Sequence, residues 1–360
     1  MIDSGGPVVA FHAVNYTGIG HVSRQTALAR YVRQRHPDIT PVVMSPCAAL
    51  REVAHDLPTL TLPYVPDVRT CPPRISRAID VATGSALSAL RPDVLVYDHI
   101  AWPALRKIAD SEGVAQVLCL RPRRGLKYFL FGQESPVPYM DLIYVPEFPD
   151  EYPELHEMLT QTGSEVIWTG PVHRQPVATE GEVRVRIGAE ADTKVCVVSS
   201  GGGSGADSQE FIQACLTAFH GVGVEDLLVV LVVGPLMRGQ VNVPARFPHT
   251  LQVQRGGVGI PELLACADVV LCRGGYGSMN ETAASGARVL AYPADRGIDD
   301  QGDRVDRFVQ RGVCEMITSL DPLALSEQIG TALDAGRRKT TQLPSDGLER
   351  LADRIAQLAH

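Results

Sequence analysis

Short apolar runs alternate with longer segments whose apolar residues recur every three or four positions, and this alternation persists through all 360 residues. "PVVAFHAV", "ITPVVMS", "DVLVYD", "AQVLCL" and "DLIYVP" are continuous apolar stretches of strand length, each closed by polar residues, Pro or Gly. Between them, "ISRAIDVATGSALSAL" and "AWPALRKIADSEG" carry helical spacing. Strand and helix in strict succession predict right-handed βαβ units and a doubly wound α/β fold with parallel sheets. The pattern restarts after "VIWTGPVHRQPVATEG", where Pro171, Pro176 and Gly181 punctuate a linker. Then come "KVCVVSS", "LLVVLVVG", "TLQVQ", "DVVLCRGG" and "ARVLAYP". The expected organisation is two Rossmann-like domains, 1–170 and 171–340, facing one another across a cleft, and a terminal helix over 341–360. That helix has Leu348, Leu351, Ile355 and Leu358 on one face. A chain of 360 residues exceeds one ordinary core, which agrees with two domains.

Composition narrows the function classes. Lys plus Arg number 33 against 41 Asp plus Glu, a net charge of −8, which argues against a duplex nucleic-acid binder. No apolar run is long enough to span a bilayer, and the first residues lack the pattern of a signal peptide. The eight cysteines are scattered without a CxxC pair, several inside apolar runs where Cys acts as a small hydrophobe. A reduced, cytoplasmic protein without a metal is expected.

Three glycine-rich turns carry the candidate chemistry. In "TGIGHVSRQTALARYV", Gly18 and Gly20 permit a tight turn and a close backbone approach, and His21 opens a helix at the ligand-facing rim of a sheet. In "ADVVLCRGGYGSMNETAASGARVLAYPADRGIDDQGDR", a strand ends at Arg273, and Gly275, Tyr276, Gly277 and Ser278 lead into a helix. Free N–H groups at that helix start, with its dipole, suit a diphosphate. Arg273 offers positive charge, Ser278 a hydroxyl, Glu281 two acceptors for a ribose diol, and Asp300 with Gln301 acceptors and donors for sugar hydroxyls. In "VVSSGGGSGADSQEF", Gly203, Ser204 and Gly205 precede a further helix and form a phosphate cradle, and Ile260 in "VGIPELL" borders the base.

The residues from Arg273 to Gln301 resemble the donor site of GT-B glycosyltransferases. In the family that adds N-acetylglucosamine to lipid-linked peptidoglycan precursor, Arg-Ser-Gly is followed by a Glu, Ala-Ala-Gly and a later Gln. Arg273, Gly275, Glu281, Ala284, Gly286 and Gln301 stand at matching places. The signature of plant natural-product glycosyltransferases aligns with Arg273 to Ser278, Glu281 and the Asp300-Gln301 pair, except that Gly277 replaces its Asn. The resemblance implies phosphate contacts from Ser278, ribose contacts from Glu281 and sugar contacts from Asp300 and Gln301. It implies a terminal helix that crosses back to the N-terminal domain. A UDP- or TDP-sugar is the implied co-substrate, with no further cofactor and no metal.

The same resemblance gives His21 a role. In many GT-B enzymes a Gly-x-Gly-His loop points toward the anomeric carbon, and Asp98 in "VYDHIAWPAL" stands where plant enzymes place the carboxylate that orients this histidine. His21 would then take the proton of an acceptor hydroxyl or amine, and the acceptor would displace the nucleoside diphosphate with inversion. The alternative is a nucleotide-sugar hydrolase similar to those of pseudaminic acid biosynthesis, in which the histidine activates water; His99 beside Asp98 strengthens that similarity. A 2-epimerase and a non-catalytic sensor rank lower. On the acceptor side, Gly18, Gly20, Arg121, Arg123 and Arg124 are the candidates. Basic residues beside Tyr128, Phe129 and Phe131 suit an anionic small molecule or a lipid-linked acceptor, with peripheral contact to the inner face of a membrane. Natural-product and cell-envelope acceptors are both open, and the sequence leaves the oligomeric state undefined.

Overall fold

A computed structural model describes residues 5–14, 18–63, 71–122, 125–203, 205–256, 259–296, 299–339 and 346–360. The chain divides into two compact units. The first holds residues up to 172 and the C-terminal segment from 343; the second holds 173–342, with the stretch 17–20 grouped with it.

In the first unit the strands are β1 (Val8–Ala13), β2 (Thr40–Ser45), β3 (Thr59–Thr61), β4 (Val94–Asp98), β5 (Ala115–Cys119), β6 (Leu142–Val145) and β7 (Val166–Trp168). All pair in parallel, in the order β3-β2-β1-β4-β5-β6-β7. The helices are α1 (Gly20–Arg35), α2 (Leu50–Val53), α3 (Pro73–Leu90), α4 (Pro103–Glu112), α5 (Leu126–Phe131) and α6 (Pro153–Thr160). Sheets covered on both faces have no polar side, so every residue of β4 is buried. Proline at the first helical positions of α3 and α4 starts each helix where a missing N–H costs nothing. Gly113 in the left-handed region then ends α4.

The second unit repeats the plan. Its helix α7 (Glu180–Ile187) opens on a capping box of Thr179 and Glu182. The strands β8 (Lys194–Ser199), β9 (Leu227–Val233), β10 (Thr250–Arg255), β11 (Val269–Arg273), β12 (Arg288–Tyr292) and a short β15 (Glu315–Met316) form a parallel sheet ordered β10-β9-β8-β11-β12-β15. Two two-residue strands, β13 (Asp295–Arg296) and β14 (Asp299–Asp300), pair antiparallel. The remaining helices are α8 (Ala206–Ala218), α9 (Ile260–Cys266), α10 (Tyr276–Ala284), α11 (Gln301–Gln310) and α12 (Pro322–Asp334). Two apolar clusters sandwich this sheet: one joins α9, α10 and α11 to it, the other α8 and α12.

The last helix, α13 (Asp346–Ala359), belongs to the first unit and lies against β4, β5 and β7. Leu351 and Ile355 are fully buried, Arg35 and His36 both bond Asp353, and Arg354 bonds Glu165. An added Cβ on Gly347 would come within 2.4 Å of the Trp168 carbonyl oxygen, so glycine is what lets α13 approach β7. The expected linker 166–181 needs correcting at its start. Val166–Trp168 is the seventh strand, because three apolar residues complete the sheet edge against β6.

In each sheet the strand order reverses beside the unit's first strand, between β1 and β4 and between β8 and β11. Loops leaving neighbouring strands at such a point run to opposite faces and open a crevice at the carboxyl ends. The glycine-rich turns identified in the sequence follow β1, β8 and β11, and Asp98 is the last residue of β4.

Candidate active site and nucleotide site

At the switch point of the first sheet, α1 and the end of β4 build a three-residue cluster. His21 Nδ1 lies 3.0 Å from Asp98 Oδ1. Arg24, one helical turn further on, donates from Nε to Asp98 Oδ2 at 3.0 Å and from Nη2 to Asp98 Oδ1 at 2.5 Å. His21 and Arg24 sit on one helix face by their i, i+3 spacing and grip one carboxylate. Asp98 and Arg24 are buried, whereas the His21 side chain is 28% exposed, so the ring alone meets solvent. Burial by itself would raise the Asp98 pKa, but the charges of Arg24 and then His21 outweigh it and hold the carboxyl well below the usual carboxylate range. An ionised carboxylate only accepts hydrogen bonds, so the contact at 3.0 Å is one in which Nδ1–H of His21 donates to Asp98.

Asp98 does not cap the helix that follows it; α4 starts after Trp102 with no side-chain cap. The chain turns sharply instead. Ile100 donates to the Asp98 carbonyl at 2.7 Å, and His99 takes a φ of 62°, a sparsely populated conformation for a side-chain-bearing residue. The His99 ring stacks on Phe129 with centroids 5.8 Å apart. Behind Asp98 on β1, His12 is fully buried, both its ring nitrogens lack hydrogen-bond partners, and its ring stands edge-on to Tyr97. Burial pushes its pKa down to about 4 despite the nearby Asp98 charge.

At the second switch point, β8 and β11 each lead through glycines into a helix. Gly201 and Gly203 take positive φ values of 73° and 77°. The helix α8 has Gly205 and α10 has Gly275 at the N-cap, with no side-chain cap hydrogen bond at either start among the described residues, whereas α11 and α12 carry the aspartate caps Asp300 and Asp321. The two glycine loops adjoin, since an added Cβ on Gly201 would stand 3.9 Å from the Ser278 hydroxyl. An added Cβ on Gly275 or Gly277 would meet nothing within 4 Å, and neither residue has a positive φ. The packing and backbone conformation do not require these two glycines. Ser278 is half-buried, and its hydroxyl has no partner among the described residues.

Other expected donor residues have internal partners. Arg273 is buried and turned toward the first turn of α8, donating to Ser208 Oγ at 2.8 Å and pairing with Asp207. Its charge is paired with a carboxylate in this structure. Glu281 is buried one turn inside α10, and Arg174 donates to its two oxygens at 2.7 and 2.9 Å. Asp300 caps α11 by accepting from the Asp303 amide, and Gln301 Oε1 accepts from the Ala294 amide. Ile260 and Tyr276 are buried at the starts of their helices.

Ser204, Arg123 and Arg124 lie outside the described residues. Arg121 is half-buried after β5, and Tyr128 and Phe131 of the six-residue α5 are exposed. No helix among the described residues is long and apolar enough to cross a membrane. Sequence reasoning passed over Arg24 and Arg174. The first was marked by its three-residue spacing from His21; the second lay in the supposed linker without any local signal.

Residues 255–357 match the glycosyltransferase family 28 C-terminal domain. The solved structure of Phytolacca americana UGT2, complexed with UDP-2fluoro-glucose and pterostilbene, superposes with a TM-score of 0.67 at 14% identity, covering 99% of this chain and 100% of that one. The fold is GT-B. Two natural-product enzymes share it. The kitacinnamycin glycotransferase has a TM-score of 0.62 at 18% identity over 99% of this chain and 100% of that one. CalG4, the calicheamicin glycosyltransferase, has 0.59 at 17% identity over 98% of each. No curated protein matches the chain. As expected from the sequence, this GT-B chain has two Rossmann-like units, with its terminal helix packed in the first.

Proposed function

We propose that the chain is an inverting, metal-independent glycosyltransferase. It moves a hexose-type sugar from a UDP- or TDP-sugar to the hydroxyl or amine of a small acceptor. The observation that carries this reading is the pair of glycines, Gly275 and Gly277, that packing does not explain. They leave the start of α10 without a side-chain cap, beside the Ser278 hydroxyl, which has no partner among the described residues, at a sheet switch point. A diphosphate there accepts hydrogen bonds from the first N–H groups of α10 and from Ser278, and the helix dipole offsets the charge that develops on departure. Each Glu281 oxygen keeps a lone pair beyond its bond to Arg174, so the carboxylate can accept from two ribose hydroxyls.

In this reading His21 Nε2 removes the acceptor proton as the acceptor atom bonds to the anomeric carbon. The bond from that carbon to the phosphate oxygen breaks, and its electron pair leaves with the nucleoside diphosphate. Asp98 fixes the imidazole tautomer and stabilises the imidazolium formed. The UDP and acceptors named for the fold relatives support a nucleotide-sugar donor and a small-molecule acceptor. Natural-product biosynthesis is the setting those relatives favour.

Product analysis with a panel of UDP- and TDP-sugars, with and without candidate acceptors, tests this. Transfer predicts slow nucleoside diphosphate release alone, fast release with an acceptor, and a glycoside of inverted configuration. Fast acceptor-independent release of free sugar would assign a hydrolase. Full activity in excess EDTA is expected, and loss restored by Mg²⁺ or Mn²⁺ would contradict the metal-independent reading.

A further inference from the structure

The cluster around Asp98 contains a cation that an oriented histidine does not by itself need. A lone carboxylate 3.0 Å from an imidazole orients it but also favours its protonated form, in which Nε2 has no lone pair to accept a proton. Arg24 changes this balance. Its Nη2 lies 3.4 Å from the same His21 nitrogen that faces Asp98, and it donates to the carboxylate oxygen that His21 uses. Its Nε holds the other oxygen, so the carboxylate cannot rotate away from the ring without breaking a buried bidentate pair.

We propose that Arg24 is a positioning residue for His21: it locks Asp98 in the plane that orients the imidazole, and its charge offsets the carboxylate's preference for imidazolium. Asp98 thereby supplies direction without holding a proton on the ring. The catalytic use of this device rests on the reading of His21 as the base; the coupling of Arg24 to His21 does not. Among the described residues, other titratable groups around Asp98 include His12 on β1, the adjacent His99, Cys119 on β5 and Tyr144 on β6, with Arg121 acting on Cys119. His12 is held neutral by burial, and burial pushes the Cys119 thiol up to about 12 and the Tyr144 phenol above its ordinary value. Among the described residues, Arg24 is the cation that faces the His21–Asp98 contact at hydrogen-bonding range.

The test uses the full chain labelled with ¹⁵N-histidine and follows the His21 ring nitrogens by NMR through a pH titration, without substrate. Arg24→Gln is expected to move the His21 titration midpoint upward, because the Asp98 charge then acts on the ring unopposed. Arg24→Lys keeps the charge and loses the fork, so the midpoint should stay near that of the unaltered protein. With its carboxylate less firmly held, Arg24→Lys should lower kcat about tenfold at unchanged KM. An unmoved midpoint in Arg24→Gln overturns the electrostatic role. If that variant does not fold, Arg24→Lys still decides the positioning role: full kcat there overturns it. A shifted midpoint together with full turnover by His21→Ala would retain the Arg24 coupling and reject His21 as the base.

Discussion

Asp98 and Glu281 are both buried carboxylates at sheet switch points, held through two bonds each by the buried Arg24 and the half-buried Arg174, yet they are built for different tasks. Asp98 shares one oxygen between Arg24 and His21, so it passes orientation on to a ring that reaches solvent. Glu281 meets Arg174 oxygen for oxygen, so both of its oxygens are held in place. The first arrangement aims another group; the second fixes the acid. A reacting base must be aimed while remaining accessible, and a carboxylate that reads two neighbouring hydroxyls must be still.

The strongest way to break this contrast is to remove the group that Asp98 aims. His21→Ala should lower turnover by about 10²–10⁴-fold with nucleotide affinity unchanged, the usual scale for a general base. A loss below tenfold in steady-state kinetics would leave the cluster structural.

Removing the fixed acid should act first on stability. Glu281→Ala strands the Arg174 guanidinium in a site where its side chain is 12% exposed. The expected cost is about 3–5 kcal/mol in a denaturant melt. The double replacement Arg174→Met with Glu281→Leu should recover most of that stability while nucleoside diphosphate binding stays lost. Recovery of binding as well would show that Glu281 does not read ribose.

Acid sharpens the same comparison, because the histidine behind the first cluster, His12, is fully buried, whereas His173 beside the second is only half-buried, although burial lowers its pKa too. His12 has a pKa near 4 in the folded protein, against about 6.5 when unfolded. The unfolded chain therefore binds a proton first as pH falls, and stability drops from about pH 6.5 down to 4 by on the order of 3 kcal/mol. The depressed Asp98 carboxyl stabilises the fold above the ordinary carboxylate range and loses that contribution at still lower pH. Melts of His12→Phe should show a flatter dependence between pH 6.5 and 4; an unchanged slope would place the acid sensitivity elsewhere. The smallest effect belongs to Ser278. Replacing it with alanine removes one free hydroxyl and should weaken nucleoside diphosphate binding about fivefold to tenfold, near 1 kcal/mol by calorimetry.

Much of this molecule can be read along the chain, and the rest has a common physical reason. Long apolar runs and glycine turns are local signals, so β1, β4, β8, β11 and the turns that follow them were legible. So was the apolar face of α13, although the partners of Asp353 and Arg354 were not. Short β7, with three residues, falls inside a stretch whose prolines read as a linker. The arginines were hidden for a deeper reason. Arg24 with Asp98 spans 74 positions, Arg174 with Glu281 spans 107 and Arg273 with Asp207 spans 66. A carboxylate's neighbours are set by tertiary packing, and an arginine in sequence does not announce whether it faces substrate or an internal acid. Arg273 is the instructive case: the motif placed it correctly at the end of β11, and Asp207 claims its charge.

The central claim is a division of labour between the two switch points, and one crossed measurement tests it most directly. Nucleoside diphosphate affinity by calorimetry and acceptor-dependent turnover are measured for His21→Ala and for the Arg174→Met, Glu281→Leu double variant. The account predicts that His21→Ala loses turnover at unchanged affinity, while the double variant loses affinity by at least tenfold. Equal affinity losses in both variants, or unchanged affinity in the double variant, would contradict it.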